Sequence, residues 1–294
     1  MSEKLGISIF RPTTNPKGCV EIIHGMAEHR KRYDDFAEYL RDNGYVVVTF
    51  DLPGHGESSG EMLGYFGESN GWDHLLYAIE EVMNRTKEEY PDLPFFIFGH
   101  SMGSMLGRCF LQDHDAQLTG AVFSGAPNYQ SATKAGITMG KVLKLFKGAK
   151  GHSAIMDMAV TGSFNKTVEN PQTPFDWISY NRENVRKYAE DPYSGFPFTI
   201  QGYVDELSGL VRMHDSTRYK VLNKDMPILF VAGKDDPCIG GTQGFTDSIG
   251  TLVKAGYTNI SSKLYDHMRH EILNEEDHMI VYKDILTWLN GITE

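Results

Sequence analysis

The stretch FFIFGHSMGSML, Phe95 to Leu106, sets one serine between a short apolar run and what reads as a helix start. Four apolar residues in succession, followed by turn residues, fit a strand buried on both faces of a parallel sheet. Gly99 and Gly103 bracket Ser101 at the point where that strand ends. Residues 99–103 fit G-x-S-x-G in the strand–turn–helix setting that this motif requires. There a bare backbone on either side lets the chain turn sharply and push the serine hydroxyl outward. A plain helix cap is the bland alternative for such a serine.

Working outward, similar runs recur as CVEII (19–23), YVVVTF (45–50), LTGAVF (118–123) and PILFVAG (227–233). Between them lie segments with helical spacing, such as RYDDFAEYLRDNG, closed by Gly44, and WDHLLYAIEEVMNRTKEEY. Strand and helix in alternation predict a doubly wound, mostly parallel α/β sheet. The rhythm breaks after Gly125 and resumes at Met226. Residues 128–222 therefore read as a mostly helical insertion, with 1–127 and 223–294 forming the core.

Composition narrows the function classes. A net charge of −11 argues against nucleic acid as a partner. Cys19, Cys109 and Cys238 have neither metal-ligand spacing nor disulfide density, which fits a reducing compartment and a cytoplasmic location. The start MSEKLGISIF contains acidic Glu3 and does not read as a secretory leader. No apolar run reaches the roughly 18 residues of a membrane span. His24, His29 and His55 are too loosely spaced for a metal site, so neither a metal nor another cofactor is expected.

A serine hydroxyl needs a base to act as a nucleophile, and the base needs an orienting acid. In a sheet of this kind with a G-x-S-x-G turn, the order along the chain is nucleophile, acid, histidine. After the strand PILFVAG, KDDP offers Asp235 and Asp236; after NISSKLYD, HMRHEILNE offers His267 and His270. Both pairs fall at strand ends, where ligands gather in open α/β sheets. The loop HGMAEH (24–29) is placed to aim a backbone N–H at developing negative charge, and the N–H of Met102 is the second such donor.

IIHGMAEHRKRYDDFAEYL, FDLPGHGESSG, YPDLPFFIFGHSMGS, VAGKDDPCIGG and YDHMRHEILNE, in that order, resemble the monoacylglycerol lipase and lysophospholipase family of α/β hydrolases. FDWISYNRENVRKYAEDPYSGF resembles the cap of that group. The resemblance implies an α/β-hydrolase fold with a helical cap and a catalytic set of Ser101, Asp236 and His270. It puts the oxyanion donors at Met26 and Met102, and makes Asp51 to Ser58 a supporting loop. The chain departs from the group in having few residues before Cys19, which shortens the opening antiparallel strands. It also reads DPCIGG where valine more often follows the proline. The implied reaction is hydrolysis of lipid-like monoesters through an acyl-enzyme, with a small lipid ester as partner and transient contact with lipid aggregates. An aminopeptidase of the same fold would need an acidic cluster, for which the cap offers Glu169, Asp176 and Glu183. A non-catalytic binding protein is the third reading, against which the intact catalytic set argues. In GITMGKVLKLFKGAK, Met139, Val142, Leu143 and Phe146 recur at helical spacing. Met139, Leu143 and Phe146 are expected either to border an acyl tunnel or to pack the cap onto the core.

Overall fold

A computed structural model describes residues 5–60 and 62–293. Seven strands form one sheet in the order β1-β3-β2-β4-β5-β6-β7. They are β1 (Ile7–Phe10), β2 (Gly18–Ile23), β3 (Tyr45–Phe50), β4 (Phe95–His100), β5 (Gly120–Ser124), β6 (Ile228–Gly233) and β7 (Ile260–Tyr265). Only β1 runs antiparallel, against β3; the other pairings are parallel. No apolar run marks β1, because ISIF lies on an edge and is partly exposed; it is a short opening antiparallel strand of the kind the resemblance implied. Strands β2 to β6 are buried along their whole length, as the continuous Val, Ile and Phe runs predicted.

Helices cover both faces. On one side α1 (Asp34–Asp42) and α9 (His278–Thr293) pack Phe36, Leu40, Val281 and Ile285 against Val20, Val47 and Phe98. On the other, α2 (Gly71–Glu89), α3 (Met102–His114) and α8 (Gly241–Ala255) pack Leu75, Leu106 and Leu252 against Val48, Ile97 and Phe230. Between β5 and β6 the helices are α4 (Thr133–Lys147), α5 (Ala154–Val160), α6 (Arg182–Glu190) and α7 (Ile200–His214), with no strand among the described residues there. No helix among the described residues is long and apolar enough to cross a membrane.

α4 lies along α7, and the face it presents is Gly136, Met139, Gly140 and Leu143. A Cβ on Gly136 would touch Leu207, and one on Gly140 would overlap Val204. Met139 and Leu143 pack against the core, whereas Phe146 is 83% exposed. The expected stripe is thus rotated. Two glycines, silent in a count of apolar residues, allow the close approach that selects the buried face.

Within the sheet, Glu21 on β2 is wholly buried, on the same face as Cys19 and Ile23, and neither carboxylate oxygen has a hydrogen-bond partner among the described residues. Burial pushes its carboxyl well above the usual range, so the folded protein holds it neutral. Its folded pKa lies above its unfolded one. Stability from this group is therefore complete below the ordinary glutamate range and is lost as pH climbs above it. Glu21→Leu should raise stability by about 1–3 kcal/mol in denaturant titrations. The gain should widen as pH rises above the ordinary glutamate range, where the unfolded chain ionises while burial keeps the folded carboxyl protonated.

Candidate active site

Ser101 closes β4 and opens α3 with φ 51° and ψ −118°, a conformation an L-residue adopts only under constraint. A side chain on Gly103 would overlap the carbonyl oxygens of Ile23 and His24, and one on Gly99 would overlap the backbone of Gly103. The two glycines let the turn nest against the end of β2. The Ser101 amide donates to the Ser124 carbonyl at 2.9 Å, and the Ser104 hydroxyl donates to the Ser101 carbonyl at 2.6 Å. Met102 is the first residue of α3, where amide groups have no intrahelical acceptor.

Of the two aspartates and two histidines left open by the motif order, the fold brings one of each together. His270 Nδ1 lies 2.8 Å from Asp236 Oδ2, and both side chains are buried. Asp236 Oδ1 accepts the Cys238 amide at 2.8 Å. Asp235 is exposed and accepts from the Tyr180 hydroxyl at 3.1 Å, while His267 stacks on Tyr180 at 4.2 Å. Burial disfavours the His270 imidazolium, but the charge and hydrogen bond of Asp236 outweigh it and raise the pKa above the usual histidine value. Cys238 adds a sulfur near this pair. Burial and Asp236 push its thiol well above the ordinary range, and a metal ligand would have to give up that proton. His24, His29 and His55 go to separate tasks, bonding the Leu52 amide, Asp191 and the Pro53 carbonyl respectively.

Ser101, His270, Met26 and Met102 line a single cavity of about 930 Å³. Its other walls come from α3, α4, α5 and α7 and from the segments flanking α6, with Met105, Met139, Val160, Phe164, Leu207 and Leu210 giving it a largely apolar surface. Of the expected stripe, Met139 reaches this cavity. Leu143 faces the core and Phe146 faces solvent, for the packing reason given above.

Beside the cavity is a buried charge network that no motif announced. Glu28 Oε1 accepts the Gly25 amide at 2.5 Å and the Tyr33 hydroxyl at 2.7 Å, and its Oε2 accepts Arg32 at 3.1 Å. Arg32 also donates to Glu271, the residue after His270, at 2.5 Å, and Glu271 accepts the Asn184 amide at 2.7 Å. Burial opposes the Glu28 charge, yet His100, Arg32 and Tyr33 more than offset it and hold its carboxyl below the usual range. One guanidinium thus ties together the loop after β2, the loop that carries His270, and α6. The acids of the inserted segment do not gather: Asp176 pairs with Arg182, Glu183 pairs with Arg186, and Glu169 is exposed.

The doubly wound sheet, the strained serine turn and the buried histidine–aspartate pair define a serine hydrolase of the α/β-hydrolase fold. Residues 14–277 match the family model described as serine aminopeptidase, S33, and the chain belongs to that family. It is similar to a carboxyl esterase from Bacillus coagulans, at 28% identity and a TM-score of 0.93, over 100% of this chain and 96% of that one. It is also similar to a monoacylglycerol lipase of Mycolicibacterium smegmatis, 24% identical over 96% of this chain and 91% of the relative. A soluble variant of monoglyceride lipase from Saccharomyces cerevisiae shares the fold, with 21% identity and a TM-score of 0.73 over 100% of this chain and 94% of that chain.

Removing one member of a buried ion network strands the others. Arg32→Met should lower unfolding free energy by about 3–5 kcal/mol, measured by denaturant titration. A loss below about 1 kcal/mol would show that Glu28 and Glu271 do not depend on it.

Proposed function

We propose that this protein is a serine carboxylester hydrolase that cleaves lipid-like monoesters, of the monoacylglycerol or lysophospholipid kind, through an acyl-enzyme intermediate. The observation that carries this reading is the large, mainly apolar cavity with Ser101 and His270 in its wall. The Ser101 hydroxyl attacks the ester carbonyl while His270 Nε2 takes its proton. Asp236, at Nδ1, fixes the tautomer and stabilises the imidazolium that forms. The backbone N–H groups of Met26 and Met102 receive the oxyanion. His270 then protonates the departing alcohol, and water repeats the sequence on the acyl-enzyme. The names of the mycobacterial and yeast relatives support a lipid ester as substrate.

In this reading residues 128–222 act as a cap over the site, and the free thiols suit the cytoplasm. The aminopeptidase alternative draws on the family description. It has little support in the cavity wall, because Arg32 holds Glu28 and Glu271, Tyr203 donates to Asp157 at 2.5 Å, and burial keeps the remaining acid, Glu206, protonated. A non-catalytic role is separated by labelling: a fluorophosphonate should modify Ser101.

Ser101→Ala, His270→Ala and Asp236→Asn should each depress ester turnover by several orders of magnitude, roughly 10⁴-fold or more for the first two. Asp235→Asn and His267→Ala should act mildly. Because His270 must be neutral to accept the serine proton and Asp236 raises its pKa, the rise of kcat/KM with pH should centre above the ordinary histidine value. In Asp236→Asn the midpoint of that rise, followed on the residual activity, should move to lower pH. Equal losses at Asp235 and Asp236 would exclude this assignment.

Leu145 and Phe146 on α4 are each 83% exposed, and Ile155 and Met158 on α5 are 63% and 70% exposed, near Lys141 and Lys147. This surface suits contact with lipid aggregates. Leu145→Ser with Phe146→Ser should reduce hydrolysis of an emulsified monoester severalfold more than that of a soluble short-chain ester. Identical effects on both substrates would remove the surface from the reading.

A further inference from the structure

Glu206, on α7, lies in the cavity wall beside Leu207 and Leu210. It is 8% exposed, and its Oε2 is buried with no hydrogen-bond partner among the described residues. The other carboxylates of that wall are engaged: Glu28 and Glu271 by Arg32, and Asp157 by Tyr203. Burial alone pushes the Glu206 carboxyl up to about 8, so at neutral pH it keeps its proton. A neutral carboxyl offers one O–H donor and a carbonyl acceptor. Met139, Leu207 and Leu210 in the same wall offer neither donor nor acceptor, so an apolar substrate chain laid along them leaves both unsatisfied. An aliphatic hydroxyl, which donates and accepts at once, satisfies both. An ammonium group would instead need the charged form that burial opposes.

We propose that Glu206 is a specificity contact that reads a free aliphatic hydroxyl on the substrate, so that hydroxyl-bearing esters are preferred to apolar esters of equal length. The proposal rests on the ester-hydrolase reading. The hydroxyl has two possible sources, the alcohol portion of the ester or a hydroxylated acyl chain, and both present the same chemistry to the carboxyl.

Two matched pairs separate these sources: monocaprylin against propyl caprylate, and para-nitrophenyl esters of hydroxylated octanoate against plain octanoate. The readout is the ratio of kcat/KM for the hydroxylated ester to that for the plain one. In at least one pair the wild-type ratio should exceed unity and fall about tenfold or more in Glu206→Leu, because a buried polar group no longer reads the hydroxyl. Glu206→Gln, which keeps a donor and an acceptor, should retain most of the preference. Plain-ester turnover should rise in Glu206→Leu, as the chain meets an apolar wall. Ratios unchanged by Glu206→Leu in both pairs would overturn the proposal while plain-ester turnover upheld the ester reading. A parallel loss on both members of each pair with a lower Tm would make Glu206 structural and overturn it too. Cleavage of aminoacyl amides, abolished in Glu206→Gln, would make the carboxyl an ammonium anchor instead. Failure of the wild type to cleave either plain ester would overturn the ester reading and this proposal with it.

Discussion

The backbone of Ser101 is held at positive φ, and nearly everything at the site follows from what holds it there. A non-glycine residue in such a conformation costs of order 1–3 kcal/mol and persists only when its surroundings over-determine it. Here they do. β4 ends beside β2 and β5, all three buried along their length, and the turn fits against the Ile23 and His24 carbonyls only because position 103 has no side chain. The same close approach brings the start of α3 alongside the loop that follows β2. Met26 and Met102, far apart in sequence, therefore share one cavity wall with the serine.

Arg32 extends this constraint beyond the sheet. Its guanidinium reaches Glu28 in the loop after β2, Glu271 after the histidine, and Asn184 on α6 at 3.3 Å. Further bonds bind the same loop to the inserted segment: the Ala27 carbonyl accepts both the Gly195 amide and the Tyr188 hydroxyl. Small shifts of α6 therefore bear on the loop after β2 through direct bonds. Buried charges are costly to desolvate, and this network is tolerable because each partner has several donors or acceptors around it.

The elements legible in the sequence were those whose signal is local. Continuous apolar runs marked β2 to β6, and the serine turn announced itself through two glycines at fixed offsets. The motif order narrowed the acid and base to two candidates each, and family resemblance chose between them; the structure pairs that choice by a hydrogen bond. What escaped depends on distant residues meeting. Glu28, Asn184 and Glu271 have no common spacing, so no pattern along the chain could join them to Arg32. The buried face of α4 was misplaced because Gly136 and Gly140 count as blanks on an apolar wheel yet decide how closely α7 approaches. Glu206 was invisible for a related reason, since Asp205 and Glu206 stand side by side in sequence and only the direction of α7 separates their fates.

Those fates define the chemistry of the cavity. Asp205 turns toward α2, where the Gly71 amide and Gln201 pull against its burial and leave its carboxyl at about 6. Glu206, with burial as the sole influence, stays neutral to about 8. On the α7 side of the cavity, Glu206 is kept protonated by burial and presents no fixed negative charge. Such a surface admits an acyl chain without the desolvation penalty that a free carboxylate would impose. The field at His270 is then set by Asp236 first and by Glu271 and Glu28 after it, the three groups that raise its pKa and so strengthen it as a base.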